Sequence, residues 1–213
     1  MANFAAAAEG GTAVPGVSLP VPPMAGTMSL DEALARRRSV REFASGALTL
    51  AEISRLVWAA QGITAPERRT APSAGATYPL EVYLVAGDVE NLAAGVYCYR
   101  PDRHRLEKVA DGDVRLPLAA AAVDQQWVAR AALVVVLVAV FERTTARYGR
   151  RGERYVHMEA GHAAQNLLLQ AATLGLGATP VGAFDDAEVS RLLHLPVGGT
   201  PLYLIPVGRN PRP

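Results

Sequence analysis

Arg36-Arg37-Arg38-Ser39-Val40-Arg41 sets four guanidiniums and a hydroxyl within six residues of a chain whose net charge is only +1. Arginine suits phosphate, because its planar fork gives two parallel charge-assisted hydrogen bonds to an oxyanion. Ser39 adds a short, adaptable donor. On helical spacing Arg37 and Arg41 share a face, as do Arg38 and Arg41. A doubly charged anion between them would relieve their mutual repulsion. The same residues also suit a solvated helix end, where the macrodipole favours Arg.

Three other segments carry small residues and isolated donors. Ala71 to Pro79 (A-P-S-A-G-A-T-Y-P) precedes a strand, and its small side chains let backbone amides approach a flat ligand, with Ser73 as a donor. Thr179 to Phe184 (T-P-V-G-A-F) is similar, and Gly208-Arg209 puts one more Arg after a buried strand. Each reads equally well as a surface turn or an exposed strand end. Other patterns fail on spacing. His157 and His162 are five apart, about 140° around a helix, whereas a zinc-binding helix needs four. Gly175-x-Gly177 lacks the third glycine of a dinucleotide fingerprint and ends a helix instead of opening one. No nucleophile elbow or phosphate-binding P-loop is present. The single cysteine, Cys98, excludes an intrachain disulfide and a cysteine-rich metal site, and points to the cytoplasm.

The elements that must position these residues are legible in outline. The 213 residues suit one domain with a full core, and 21 basic against 20 acidic residues give no field for nucleic acid or an anionic membrane. Residues 1–28, rich in Ala, Gly and Pro, read as a flexible arm or one that wraps a partner through Val17, Leu19, Val21 and Met24. The domain proper is expected over 29–213. Ser29-Leu30-Asp31-Glu32 opens a helix through residue 38, and Thr49-Leu50-Ala51-Glu52 opens a second. Strands are predicted over 80–86, 95–99, 106–109 and 201–207, the second and third joined by a turn at 101–104. Residues 119–122 fall in a small-residue helix. Residues 131–141 are continuously apolar but too few to span a bilayer, so they read as a buried central strand. A helix over 153–174, apolar around most of its circumference, ends at Gly175 and Gly177, and 185–193 form a short helix. An α+β domain with four or five strands follows.

In order along the chain, R-R-R-S-V-R-E-F, A-P-S-A-G-A-T-Y-P-L-E-V-Y-L-V, E-A-G-H-A-A-Q-N-L-L-L-Q-A-A-T-L-G-L-G, P-V-G-A-F and V-G-R resemble the nitroreductase superfamily. The nearest branch is that of the SagB-type dehydrogenases, and the likeness covers about residues 28 to 210. It implies a mixed four- or five-stranded sheet flanked by helices, an intertwined homodimer, and FMN at the subunit interface. By this resemblance Arg37, Arg38, Ser39 and Arg41 hold the FMN phosphate and ribityl chain, and Arg209 completes the phosphate site. Ser73, Ala74 and Gly75 form the loop beside the flavin, supplied by the other subunit, and Pro180, Val181 and Gly182 lie over the ring edge. No metal is implied. The activity implied is ping-pong hydride transfer through flavin N5 from NADH or NADPH to a nitro- or quinone-type acceptor. The runner-up is a peptide azoline dehydrogenase, and a second alternative is a non-catalytic flavin-binding partner in a complex. The azoline branch carries a Lys-Tyr pair ahead of the long helix. Here Arg147-Tyr148 stands in that place, leaving Tyr148 as the candidate proton donor, since Arg stays protonated.

Overall fold

The computed structural model of the chain describes residues 16–211. Its strands are β1 (Gly16–Ser18), β2 (Ile63–Ala65), β3 (Arg68–Arg69), β4 (Leu80–Ala86), β5 (Gly95–Arg100), β6 (Arg105–Asp111), β7 (Leu133–Val140), β8 (Leu176–Ala178) and β9 (Gly199–Arg209). The helices are α1 (Leu30–Arg36), α2 (Leu50–Gln61), α3 (Arg115–Ala121), α4 (Gln126–Arg130), α5 (Glu142–Tyr148), α6 (Arg151–Thr173) and α7 (Asp186–Leu192). Seven strands make one sheet in the order β1-β6-β5-β4-β7-β9-β8, and β2 pairs with β3 separately. Every strand pair is antiparallel. The expected mixed sheet of four or five strands is therefore corrected to seven antiparallel ones. The strands missed in this sheet, β1 and β8, are three residues long and owe their shape to a neighbour's edge, not to a pattern of their own.

β7 lies between β4 and β9 and is buried over almost its whole length, as its apolar run requires. Its residues alternate between two cores. Val135, Leu137 and Ala139 pack with α2 and α6, whereas Val134, Val136 and Val138 pack with α3, α4 and α7. Thr49 and Glu52 close a reciprocal capping box on α2. At α1 only half of the expected box forms, because Glu32 turns to pair with Arg36 at 2.6 Å.

Part of the expected N-terminal arm is sheet. Gly16, Val17 and Ser18 pair with Glu107, Leu106 and Arg105 of the same chain, and Leu19 is buried. The Ser54 hydroxyl donates to the Pro20 carbonyl at 2.5 Å, and His104 Nε2 stands 3.1 Å from the same oxygen. Residues 1–15 of the expected arm lie outside the described residues.

The long helix α6 is buried on one side and open on the other, which corrects the expected burial on most sides. Val156, Ala160, Ala163, Leu167 and Ala171 recur at helical spacing into the core, while Met158, Gly161, His162 and Gln165 face outward. Gly175, at φ +67°, takes the left-handed position that ends the helix.

Two glycines seat the chain that follows α1. Val40 donates its amide to Ala178 and Ala44 to Arg209, both at 3.0 Å, so residues 40–44 run along β8 and β9. A Cβ on Gly177 would stand 2.6 Å from Val40, and one on Gly208 would stand 2.8 Å from the Phe43 ring. Gly208→Ala is therefore expected to lose about 1–3 kcal/mol, the usual cost of overpacking. Urea unfolding measures this, and an unchanged midpoint would refute the contact.

Candidate functional site

Residues 37–41 form the wall of a cleft of about 970 Å³, whose opposite side is the C-terminal part of α6 at Leu168 and Ala172. α1 stops at Arg36, not at residue 38, because Arg37 turns to φ −51° and ψ 123° and the chain goes extended to reach β8. The expected common helical face of Arg37, Arg38 and Arg41 therefore does not exist. The cleft still gathers all three, with Ser39. Their roles separate. Arg38 donates to the Ala35 and Arg37 carbonyls at 2.7 and 2.9 Å, closing the end of α1. The Arg41 guanidinium lies 5.6 Å from the Trp127 ring centre. Arg37 has no side-chain partner among the described residues, and neither has the Ser39 hydroxyl. Two guanidiniums and a hydroxyl without hydrogen-bond partners among the described residues thus line one cleft, a chemistry suited to a dianion.

Arg209 is not part of this wall. Its guanidinium pairs with both Glu52 oxygens, at 2.5 and 3.0 Å, and donates to the Ala47 carbonyl at 2.6 Å. Burial pushes the Glu52 carboxyl up, but Arg209 and the Thr49 amide and hydroxyl outweigh it and hold it below its ordinary range. Arg209 thus ties β9 to the cap of α2, a use that its position in the sequence does not reveal.

Ser73, Ala74 and Gly75 form a second cluster, at the other end of α6. Ala74–Ala76 make a single 3-10 turn, and the Ser73 hydroxyl accepts the Tyr78 amide at 2.9 Å. The end of α5 folds onto this turn. Arg147 Nη1 donates to the Gly75 carbonyl at 3.0 Å, and a Cβ on Gly75 would stand 2.5 Å from the Tyr148 hydroxyl. Gly75 also sits at φ +61°, so the turn needs glycine for both its backbone and its neighbours. Tyr148 is held edge-on by Tyr155, their centres 5.3 Å apart. Two separate candidates from the sequence, the Ser73 loop and the Arg147-Tyr148 pair, therefore meet at one place.

Beside that loop lies a residue that the sequence reading missed. Glu159, on α6, is 3% exposed and its Oε1 has no partner among the described residues. Burial raises its carboxyl, and the Ser73 hydroxyl and Arg69 pull it only partly back, leaving it at about 7. A carboxylate on the same stripe as Val156 and Ala163 was the available signal. Pro180, Val181 and Gly182 do not line the cleft. Val181 is bridged to Leu204 by hydrogen bonds of 2.7 and 3.0 Å, three residues beyond the Ala178 that pairs with Ser39.

Within the chain, the loop near Glu159 and the cleft near Leu168 and Ala172 are separated by roughly 15–20 Å along α6, at 1.5 Å per residue. One chain thus does not bring the loop and the cleft together. Among the described residues, no cluster of three or more His, Cys, Asp or Glu side chains forms a metal site, and no helix is long and apolar enough to cross a membrane.

A model described as the Nitroreductase family matches residues 34–209. The Methanocaldococcus jannaschii protein MJ1384, a nitroreductase in name, is 50% identical over 185 residues, covering 86% of this chain and 92% of that protein. A crystal structure from Ralstonia eutropha, also named as a nitroreductase, superposes with a TM-score of 0.80 at 31% identity, covering 91% of this chain and 89% of the other. The microcin B17-processing protein McbC of Escherichia coli is 33% identical over 133 residues, 60% of this chain and 49% of McbC, so the chain spans about half of that relative.

Proposed function

Because the chain belongs to the nitroreductase family, we propose that it is an FMN-dependent oxidoreductase reducing nitro- or quinone-type acceptors with NADH or NADPH. The observation that carries this reading is the cleft at residues 37–41, where the side chains of Arg37, Ser39 and Arg41 have no hydrogen-bond partner among the described residues. The surroundings fit a bound group. Trp127 Nε1, under Arg41, and Thr179 Oγ1, next to Ala178, are buried without hydrogen-bond partners among the described residues.

In this reading Arg37 and Arg41 hold the phosphate, Ser39 donates to it or to the ribityl chain, and Arg38 keeps the end of α1 in place. Bound FMN supplies hydride exchange at N5, the electron donor and acceptor taking turns at one site. The Ser73–Gly75 loop offers its amides and a hydroxyl from a second copy of the chain. In this reading an isologous dimer sets the loop of one subunit beside the cleft of the other, which would answer the separation within one chain. The outward stripe of α6, with Met158 46% exposed and Gly161 bare, is a surface for that contact. In this reading Tyr148, half-buried at the end of α5 against the same loop, is the proton donor to the acceptor as it is reduced.

A second reading, dehydrogenation of azolines in a peptide, draws on the likeness to McbC. Arg147, in the place of that branch's Lys, cannot serve as its base. One experiment tests the proposal. The purified protein should be yellow, run as a dimer by light scattering, and bleach on anaerobic addition of NADH or NADPH, with colour returning on a nitroaromatic. A colourless protein that takes up no FMN refutes it. A flavoprotein that neither nicotinamide bleaches, but that oxidises a thiazoline peptide, transfers the assignment to the second reading.

A further inference from the structure

A pocket of about 260 Å³, remote from the cleft, lies between β3, the start of β4 and the end of β5. Three guanidiniums and two carboxylates line it: Arg69, Arg100 and Arg143 against Glu81 and Asp102. The carboxylates are already matched. Glu81 takes Arg143 and stands 3.8 Å from Arg100, and Asp102 lies 3.6 Å from Arg103. Arg100 is itself matched, donating to Glu107 at 2.6 Å.

Arg69 alone among the three lacks a carboxylate within salt-bridge distance. Its partners are the Gln61 Oε1 at 2.8 Å and the Tyr78 ring, whose centre is 4.6 Å from the guanidinium carbon. Because Arg can only donate, the Gln61 oxygen must be the atom that faces it, which fixes the amide the other way round for its nitrogen. That nitrogen is the unusual group. Gln61 is 1% exposed, and its Nε2 has no acceptor among the described residues. Glu81 and Glu159 act on Arg69 only from beyond salt-bridge distance, so its fork lacks a direct anionic partner, the buried Gln61 amide lacks an acceptor, and one anion answers both. The remaining walls are apolar, from Leu80, Val82 and Pro101.

We propose that this pocket binds a small carboxylate, held by the fork of Arg69 and completed by the Gln61 amide. The site shares no lining residue with the basic cleft. It shares a wall with the Ser73 loop, because Arg143 donates to the Tyr78 carbonyl at 3.0 Å and Arg69 covers the Tyr78 ring.

The test is ligand-observed NMR with succinate on FMN-saturated protein, at ionic strength held constant with sodium chloride. Succinate should bind saturably and its neutral isostere, succinamide, should not. Arg69→Gln should weaken succinate at least about tenfold, the loss of one charge-assisted contact. Gln61→Glu keeps the guanidinium but places a carboxylate beside it, and should abolish binding while raising thermal stability. Inorganic phosphate as a second probe should bind more weakly than succinate. Absence of saturable binding, equal binding of succinamide, preference for phosphate, or unchanged affinity in both variants would each overturn the proposal. Neither variant lies in the basic cleft, so failure here is distinct from failure to bind FMN.

Discussion

Arg41→Ala is expected to lose roughly ten- to hundredfold in FMN affinity, as one charge-assisted contact of about 1.5–3 kcal/mol disappears. Riboflavin, which lacks the phosphate, should bind the variant almost as it binds the wild type. The structure sharpens this expectation. Arg41 is exposed and its side chain has no partner among the described residues but the Trp127 ring, so its removal should leave the fold intact. Arg37→Ala should behave in the same way, since its guanidinium is free of partners among the described residues. Arg209→Ala should not. Removing it leaves the Glu52 carboxylate, 16% exposed, without its cation, so stability falls while the ratio of FMN to riboflavin affinity stays at the wild-type value. Titrating each apo-protein with both flavins decides the matter. If FMN and riboflavin weaken equally in Arg41→Ala, the cleft does not hold the phosphate.

Glu159→Gln should change the pH dependence of stability. Burial raises this carboxyl from 4.5 to about 7, the Ser73 hydroxyl and Arg69 offsetting only part of it. A folded state that holds its proton more tightly than the unfolded chain is favoured at low pH. Stability is then lost as pH rises through the window from 4.5 to about 7, and the loss is complete above it. The total is about 3 kcal/mol, at about 1.4 kcal/mol per pH unit. Glutamine keeps the shape and removes the ionisation, so the variant should match the wild type near pH 4.5 and exceed it by about 3 kcal/mol at pH 8. Urea unfolding at the two pH values measures the difference. Parallel losses in both proteins would show that Glu159 is not the group that titrates.

What the sequence determined by itself was local. Helix starts at Ser29, Thr49 and Asp185, the β5–β6 turn, the apolar run of β7 and the stop at Gly175 each follow from a few adjacent residues, and each formed. The five blocks that resemble the nitroreductases were legible for the same reason, and so were the residues of the cleft. The tertiary structure decided whatever depends on a distant neighbour. β1 and β8 have no periodicity to read, because the edges of β6 and β9 impose their conformation. Arg37, Arg38 and Arg41 are alike in sequence, yet the turn after Arg36 frees two guanidiniums and ties the third to the end of a helix. Arg209 faces Glu52, 157 residues away, and Arg147 reaches Gly75 across 72 residues. Glu159 carries no mark in sequence that separates it from a solvated glutamate, except the apolar stripe it shares. Burial against the loop is what makes its carboxyl hold a proton, and burial is a property of the packed chain alone.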